Sequence, residues 1–192
     1  MQARLTATDL ACRRGDRLLF RGLDLAVAPG EGIAVRGANG VGKSSLLRTL
    51  AGFMRPFAGR VERRGTLGIV DERPALDGAL PLGRALAFWA AIDGKESDAA
   101  LARLGLEPLR DVPVRFLSTG QRKRASLARL VAQGADIWLL DEPLSGLDTV
   151  AQAQVADLVA AHLTGGGAAV VVSHQNLAVP ALAALELGDY AP

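Results

Sequence analysis

The sequence is poor in several residue types, and each shortage excludes a class of protein. Cys12 is the only cysteine among its 192 residues, which excludes a disulfide framework and a zinc site built from several cysteines. The 22 lysines and arginines barely exceed the 20 aspartates and glutamates, so the chain lacks the strongly basic surface of a nucleic-acid-binding domain. We therefore expect no nucleic-acid partner, and we expect Cys12 to pack as a small apolar residue.

The sequence also lacks a long, uninterrupted hydrophobic run. Its longest stretch without an Asp, Glu, Lys or Arg covers 158–185, and it is broken by glycines at 165–167 and by Pro180. This stretch is therefore a poor candidate for a membrane span. No basic segment followed by an apolar one opens the chain, and we expect no secretory signal. These features predict a soluble protein that acts at a membrane only through a partner.

Apolar residues are plentiful, at 49% of the total, and their spacing alternates between strand and helix patterns. The pattern predicts one globular α/β domain over residues 1–192. Strands are predicted at 5–11, 18–20, 23–27, 33–36, 137–140 and 168–172, with a hairpin or a pair of strands within 59–70. Helices are predicted at 43–51, 82–92, 97–104, 119–131 and 149–163.

The order of these elements predicts three parts. The strands before residue 28 form a small antiparallel sheet. Residues 74–116 form an inserted helical lobe, in which Ser97 is the N-cap of the second helix. The remaining alternation of strand and helix predicts a mostly parallel sheet with helices on both faces.

The most specific motif lies at residues 37–45. A glycine, four residues, a second glycine, a lysine and a serine form a phosphate-binding pattern, and a predicted strand and helix flank it. The glycines let backbone N–H groups point at phosphate oxygens, and the helix adds its positive N-terminal end. Lys43 is expected to reach the terminal phosphates, and the Ser44 hydroxyl to bind Mg²⁺. The residues assigned to nucleotide binding here are Gly37, Ala38, Asn39, Gly40, Val41, Gly42, Lys43, Ser44 and Ser45.

Two carboxylates follow the apolar strand at 137–140. Asp141 and Glu142 stand at its end, and the carboxyl ends of parallel strands lie on the same edge as the phosphate loop. Asp141 is predicted to hold Mg²⁺, and Glu142 to polarise a water for attack on the terminal phosphate. An acidic turn is the usual meaning of a lone Asp-Glu pair, but the phosphate loop in the same chain favours catalysis.

Residues 117–121, Leu-Ser-Thr-Gly-Gln, predict a second anion site. With Ser118 as N-cap, its hydroxyl, the Gly120 backbone and the first helical amides converge on one point. The chain already has its own phosphate loop, so this second site needs another explanation. The alternative is a capped helix start without a ligand.

These motifs, in this order, resemble the nucleotide-binding domain of ABC ATPases over essentially the whole chain. Residues 37–44 resemble the Walker A loop, 137–142 the Walker B strand, and 117–121 the LSGGQ signature with Thr119 in place of a glycine. The resemblance implies a P-loop NTPase fold. That fold has a mostly parallel sheet, an N-terminal antiparallel β subdomain and a small helical subdomain at about 74–116.

Two shorter segments extend the resemblance. Residues 145–148, Ser-Gly-Leu-Asp, resemble the D-loop. His174, after the strand at 168–172, resembles the switch histidine that contacts the γ-phosphate. His162 has no motif around it and is predicted to be an ordinary surface or core histidine.

The resemblance implies ATP as the substrate, Mg²⁺ as the cofactor, and catalysis by Lys43, Glu142 and His174. It also implies a homodimer, because Ser118 and Gly120 of one copy cap the γ-phosphate held by Lys43 of the other. Two ATP molecules then join the copies, and hydrolysis releases them. The nucleotide-binding residues outside the phosphate loop are Ser118, Gly120, Gln121 and Asp148.

Two positions depart from the ABC pattern. The family usually has an aromatic residue, stacked on adenine, before the first Gly-Asp turn, whereas Arg13 and Arg14 stand here. Adenine is then expected to stack on the planar guanidinium of an arginine, on the ring of Phe20, or on no side chain. Asp71-Glu72 replaces the glutamine of the Q-loop, with Glu72 as the matching residue and a third candidate Mg²⁺ ligand. We expect this carboxylate to alter the coupling between transporter contact and hydrolysis.

Within the ABC ATPases, residues 17–23, 88–90, 117–130 and 173–175 resemble the ATP-binding subunit of the haem exporter of cytochrome c biogenesis, the CcmA family. This implies ATP hydrolysis at the cytoplasmic face of a bacterial inner membrane. It implies integral membrane partners, CcmB-like and CcmC-like, that dock near the helical lobe and support haem delivery to a periplasmic chaperone. No residue group predicts a direct haem ligand site.

Other ATPases share most of these motifs and remain alternatives. One is the ATPase of another ABC exporter or of a lipoprotein-release system. Another is a non-transport ABC ATPase such as an iron–sulfur assembly ATPase. DNA-repair and translation types are disfavoured, since the sequence has no coiled-coil insertion and a single cassette. Residues 117–121, and the lack of an Asn-Lys-x-Asp motif, argue against a P-loop kinase or GTPase.

Overall fold

The computed structural model describes residues 4–71 and 74–192, which contain two β-sheets of different kinds. The first sheet is antiparallel, with the strand order β2-β1-β4. Its outer strands both pair with β1, and the turn between β1 and β2 brings Arg14 opposite Arg17. These strands are β1 (Arg4–Arg14), β2 (Arg17–Val27) and β4 (Ala58–Arg64).

The second sheet is parallel throughout, with the order β5-β6-β7-β3-β8. Its strands are β3 (Gly32–Arg36), β5 (Leu67–Val70), β6 (Ile137–Asp141), β7 (Ala168–Val172) and β8 (Leu182–Glu186). Every residue of β6 and β7 is buried, as expected for strands covered on both faces.

Five α-helices accompany the strands, and none of those in the described chain is long and apolar enough to cross a membrane. The predicted bounds of α1 and α2 are confirmed, whereas α4 and α5 extend one or two residues past their predicted ends. The helices are α1 (Lys43–Ala51), α2 (Leu82–Ile92), α3 (Asp98–Arg103), α4 (Thr119–Gln133) and α5 (Thr149–Thr164).

Ser97 stands at the N-cap position of α3, but its side chain makes no capping hydrogen bond. Its backbone is already helical, with φ −110° and ψ −10°, whereas a capping serine needs an extended backbone to reach the helix amides. The Ser97 side chain is buried instead. The prediction that the Ser97 side chain caps α3 is therefore wrong, although Ser97 does stand at the N-cap position.

The predicted pair of strands within 59–70 belongs to two different sheets, so the hairpin alternative is wrong. β4 pairs with β1, and β5 pairs with β6. Thr66, between them, donates from its backbone N and its Oγ1 to Asp136 Oδ2 at 2.7 and 2.8 Å. These hydrogen bonds hold the pKa of the Asp136 carboxyl below its usual range and tie the start of β6 to β5.

Two hydrophobic cores lie on opposite faces of the parallel sheet. Ile137 and Leu139 point into one core with α1 and the antiparallel sheet, while Trp138 and Leu140 point into the other with α2 to α5. This alternation follows the two-residue period of a strand. Cys12 lies buried in the first core as predicted, and burial raises the pKa of its thiol.

Candidate nucleotide-binding site

The phosphate-loop residues form a tight loop between β3 and α1. Gly42, the N-cap of α1, has φ 116°, and an added Cβ would lie 3.1 Å from Leu19 Cβ. Only glycine fits this conformation and this close contact. No side chain caps α1, so its first amides remain available to an anion.

Lys43, the first residue of α1, is folded back over its own loop. Its Nζ donates to Gly37 O at 2.7 Å and to Ala38 O at 3.1 Å. The side chain is buried although it is charged. Within the loop, Val41 N donates to Ala38 O at 3.3 Å, so the loop is closed by its own hydrogen bonds.

The two predicted carboxylates follow β6 at the same edge of the sheet. Asp141 is buried, and its backbone oxygen accepts a hydrogen bond from Lys123 Nζ at 3.4 Å. Glu142 extends the pairing of β6 with β7, since its N–H donates to Val172 O at 2.8 Å. Glu142 has φ 45°, a left-handed backbone that is uncommon for a residue with a side chain.

The carboxylate of Glu142 is held by the two residues that follow β7. His174 N lies 3.2 Å from both Oε1 and Oε2, and Ser173 Oγ lies 3.3 Å from Oε2. The His174 Nε2 lies 3.4 Å from Glu142 Oε1, and the two side chains form an ion pair when the His174 ring is protonated. Ser173 was not among the site residues predicted from the sequence. Its position directly before a motif histidine is the signal that could have found it.

A cleft of about 370 Å³ brings the predicted groups together. The phosphate loop, the end of β6, the last residue of β7 and His174 line its walls, as expected for the carboxyl edge of a parallel sheet. The predicted residues along it are Asn39, Gly40, Gly42, Lys43, Ser44, Ser45, Asp141, Glu142 and His174. Arg14, Leu19 and Val172 complete the described lining.

The signature helix α4 begins with a capping box. Ser118 Oγ accepts from Gln121 N at 3.2 Å, and Gln121 Oε1 accepts from Ser118 N at 2.8 Å. The predicted N-cap is confirmed. Ser118, Gly120 and Gln121 are not among the described residues that line the cleft around Lys43.

The loop at 145–148 packs against the signature residues. A Cβ added to Gly120 would lie 2.6 Å from Gly146 O, so the two backbones touch where only glycine fits. Asp148 Oδ1 accepts from Ala151 N at 2.8 Å and caps α5. Asp148, like the signature residues, is absent from the described lining of the cleft.

The residues that line the cleft correct one expectation about adenine. Phe20 is fully buried in the core and cannot stack on a base. The Arg13 guanidinium lies 4.9 Å above the ring of Phe57 instead of lining the cleft. Of the residues considered for stacking, only Arg14 lines the cleft, beside Leu19.

Glu72, the predicted Q-loop residue and third Mg²⁺ ligand, lies outside the described residues. Among the residues that are described, no three His, Cys, Asp or Glu side chains come together as a metal site. The remaining predicted ligands, Ser44 and Asp141, both line the cleft. One carboxylate and one hydroxyl suit Mg²⁺, which takes its other ligands from phosphates and water.

Known proteins are similar to this chain in sequence and in fold. Residues 20–145 match the model of the ABC transporter family. The chain is 56% identical to the cytochrome c biogenesis ATP-binding export protein CcmA of Novosphingobium aromaticivorans, over 98% of this chain and 97% of the relative. It is 50% identical to the CcmA protein of Sphingopyxis alaskensis, over 98% of each.

A solved structure agrees with these relatives. A metal-chelate-type ABC transporter in an inward-facing conformation is 28% identical, with a TM-score of 0.81 over 97% of this chain and 79% of that one. The sequence matches and the shared fold point to the same group. The chain belongs to the ABC transporter ATPase family and, within it, to the family of cytochrome c biogenesis ATP-binding export proteins, CcmA.

Proposed function

We propose that the chain hydrolyses ATP to power the haem export or delivery step of cytochrome c biogenesis. The observation that carries the proposal is the cleft in which Lys43, Asp141 and Glu142 meet at one edge of the parallel sheet. The relatives at 50 and 56% identity, named for ATP binding, export and cytochrome c biogenesis, support the biological assignment.

Each cleft residue has a role that its chemistry allows. The loop amides and Lys43 hold the phosphates, and Glu142 is the general base that takes a proton from the attacking water. His174 contacts the γ-phosphate from the end of β7, next to Glu142. Ser44 and Asp141 hold Mg²⁺, which supplies charge neutralisation for the phosphate oxygens.

The working unit we propose is a homodimer. The signature residues Ser118 and Gly120 stand at the start of α4, yet they are not among the described residues that line the cleft around Lys43. A second copy facing the cleft supplies such a helix start to the γ-phosphate, with Gln121 and Asp148 beside it. Each copy then completes the site of the other.

The nucleoside lies in the same cleft. The terminal phosphate reacts at Glu142 and His174, and the base lies against Arg14 and Leu19, the lining residues that come from the antiparallel sheet. Arg14 offers a planar guanidinium for stacking, and Leu19 offers an apolar contact. Neither side chain reads the hydrogen-bonding edge of a base.

The membrane partners are integral subunits, CcmB-like and CcmC-like, docked near the helical segment at 74–116. This places the chain at the cytoplasmic face of a bacterial inner membrane as a peripheral subunit. Haem passes through the partners and not through this chain.

Gene replacement tests the proposal. We expect deletion of the gene in its own organism to abolish haem-bound cytochromes c, measured by haem staining of membranes, and the wild-type gene to restore them. Lys43→Ala removes the phosphate contact and is expected not to restore them. Lys95→Ala is the matched control, since Lys95 is exposed and lies outside the cleft.

The membrane subunits that co-purify with the tagged chain provide the second readout. We expect cytochrome c biogenesis subunits in the purified complex. Normal cytochromes c in the deletion strain, with subunits of another exporter in the complex, would overturn the haem role while leaving the ATPase assignment.

A further inference from the structure

We propose that Ser173 is a positioning residue that sets the orientation of the Glu142 carboxylate. The inference deepens the proposed function, because it depends on Glu142 being the general base. Its starting point is the set of contacts around Glu142. Ser173 Oγ lies 3.3 Å from Oε2, and the His174 N–H faces both carboxylate oxygens at 3.2 Å.

The hydroxyl of Ser173 is itself oriented. Gln175 N donates to Ser173 Oγ at 3.0 Å, which occupies one lone pair of the oxygen. The hydroxyl proton is then directed to the nearby acceptor, Glu142 Oε2. Ser173 is buried, so water does not compete freely for that proton.

The backbone of Glu142 explains why its side chain needs such support. Its φ of 45° lies in the left-handed region, where the side chain leaves the strand in an unusual direction. Strained backbones of this kind persist only where surrounding contacts determine them. The Val172 carbonyl fixes the Glu142 N–H at 2.8 Å, and Ser173 with His174 fixes the carboxylate.

A positioning role differs from a structural one in what it changes. Nucleotide binding depends on the phosphate loop, which Ser173 does not touch in the described contacts. Loss of its hydroxyl therefore lowers the rate of the chemical step and leaves affinity for ATP in place. The chain offers Ser126 as a matched control, a buried serine of α4 whose Oγ donates to Arg122 O at 3.1 Å.

The experiment measures steady-state ATP hydrolysis by the chain assembled with its membrane subunits. We expect Ser173→Ala to lower kcat about tenfold, the scale of one hydrogen bond, with KM for ATP changed less than about twofold. Ser173→Thr keeps a hydroxyl and is expected to retain most of the wild-type rate. Ser126→Ala is expected to match the wild type in both constants.

A second background separates positioning from a general loss of structure. In Glu142→Gln, where the base is absent, adding Ser173→Ala is expected to change the residual rate by less than about twofold, because both changes remove one function. An unchanged kcat in Ser173→Ala, or an equal loss in both backgrounds, would overturn the inference. A wild-type complex that hydrolyses no ATP would overturn the proposed function as well.

Discussion

At the scale of single residues, Arg14 has the clearest consequence for substrate choice. It lines the cleft in which we propose that the nucleotide binds, whereas Phe20 is buried out of reach. A guanidinium plane stacks on any base with little regard for its hydrogen-bonding edge. The wild-type chain is therefore expected to bind ATP and GTP with dissociation constants within about fivefold, the range of a weak stacking difference.

Substitution of Arg14 tests this expectation by calorimetric titration with ATP and GTP. Arg14→Ala removes the guanidinium and is expected to weaken the binding of both nucleotides about tenfold, near the low end of the range for one stacked base. Arg14→Tyr restores an aromatic plane and is expected to recover the affinity for both. Arg13→Ala is the control, because Arg13 packs on Phe57. A strong preference of the wild type for ATP that survives Arg14→Ala would contradict the assignment.

Single residues were predictable where a short motif encodes local geometry. The glycine pattern around Lys43 and the capping box at Ser118 depend on neighbours within a few positions, and the structure has both. Ser173 and Phe20 were not predictable in the same way. Their roles depend on contacts with residues far away in the chain, Glu142 for one and the core around α1 for the other.

At the scale of elements, the contact between α5 and β6 makes stability depend on pH. The His162 ring stacks on Trp138 with 3.9 Å between centroids, and its Nε2 lies 3.2 Å from Ala168 O. Burial lowers the pKa of His162 from its ordinary 6.5, although hydrogen bonds to the backbone of Ala168 and Asp136, and the Asp136 carboxylate, oppose the shift.

The sign of this dependence follows from proton uptake. The unfolded chain binds a proton at His162 below about pH 6.5, whereas the folded chain resists it, so stability is complete above that pH and declines as the pH falls below it. His162→Phe keeps an aromatic stack without a titrating group and is expected to remove part of this decline. The measurement is urea unfolding from pH 5 to 8.

Gln154→Ala is the control for this measurement, since Gln154 is an exposed, uncharged residue of the same helix. It is expected to keep the wild-type slope of stability with pH. An equal slope in wild type and His162→Phe would show that the stack contributes nothing to the pH dependence.

Elements were predictable where their residues match one period over their whole length. β7 and α2 were predicted with their observed bounds for that reason. β8 was missed because its Ala, Leu and Glu residues favour helices, and only pairing with β3 at the edge of the sheet makes it a strand. The separation of β4 from β5 likewise depends on their partners and not on their own residues.

At the scale of the whole molecule, ATP is expected to control association. Glu142→Gln keeps the phosphate loop but lacks the base, so bound ATP persists between two copies. We expect its mass, measured by light scattering after gel filtration, to double on addition of ATP and Mg²⁺. Hydrolysis by this variant is expected to fall by at least about a hundredfold, the usual contribution of a general base.

The variant that combines Lys43→Ala with Glu142→Gln is the control, and it is expected to stay monomeric because it lacks the phosphate contact. A monomer in Glu142→Gln at saturating ATP would count against the proposed homodimer. Normal hydrolysis in that variant would remove Glu142 from its role as base.

The two cores make the position of Asp141 and Glu142 a result of packing. Alternate side chains of β6 lie on opposite faces of the sheet, and each face has a core built from different residues. A slip of one residue would exchange Trp138 and Leu140 with Ile137 and Leu139, damaging both cores at once. The same slip would move Asp141 along the sheet edge. The alignment of Asp141 and Glu142 with the phosphate loop is thus specified by both cores, through β6 residues that are not among the described lining of the cleft.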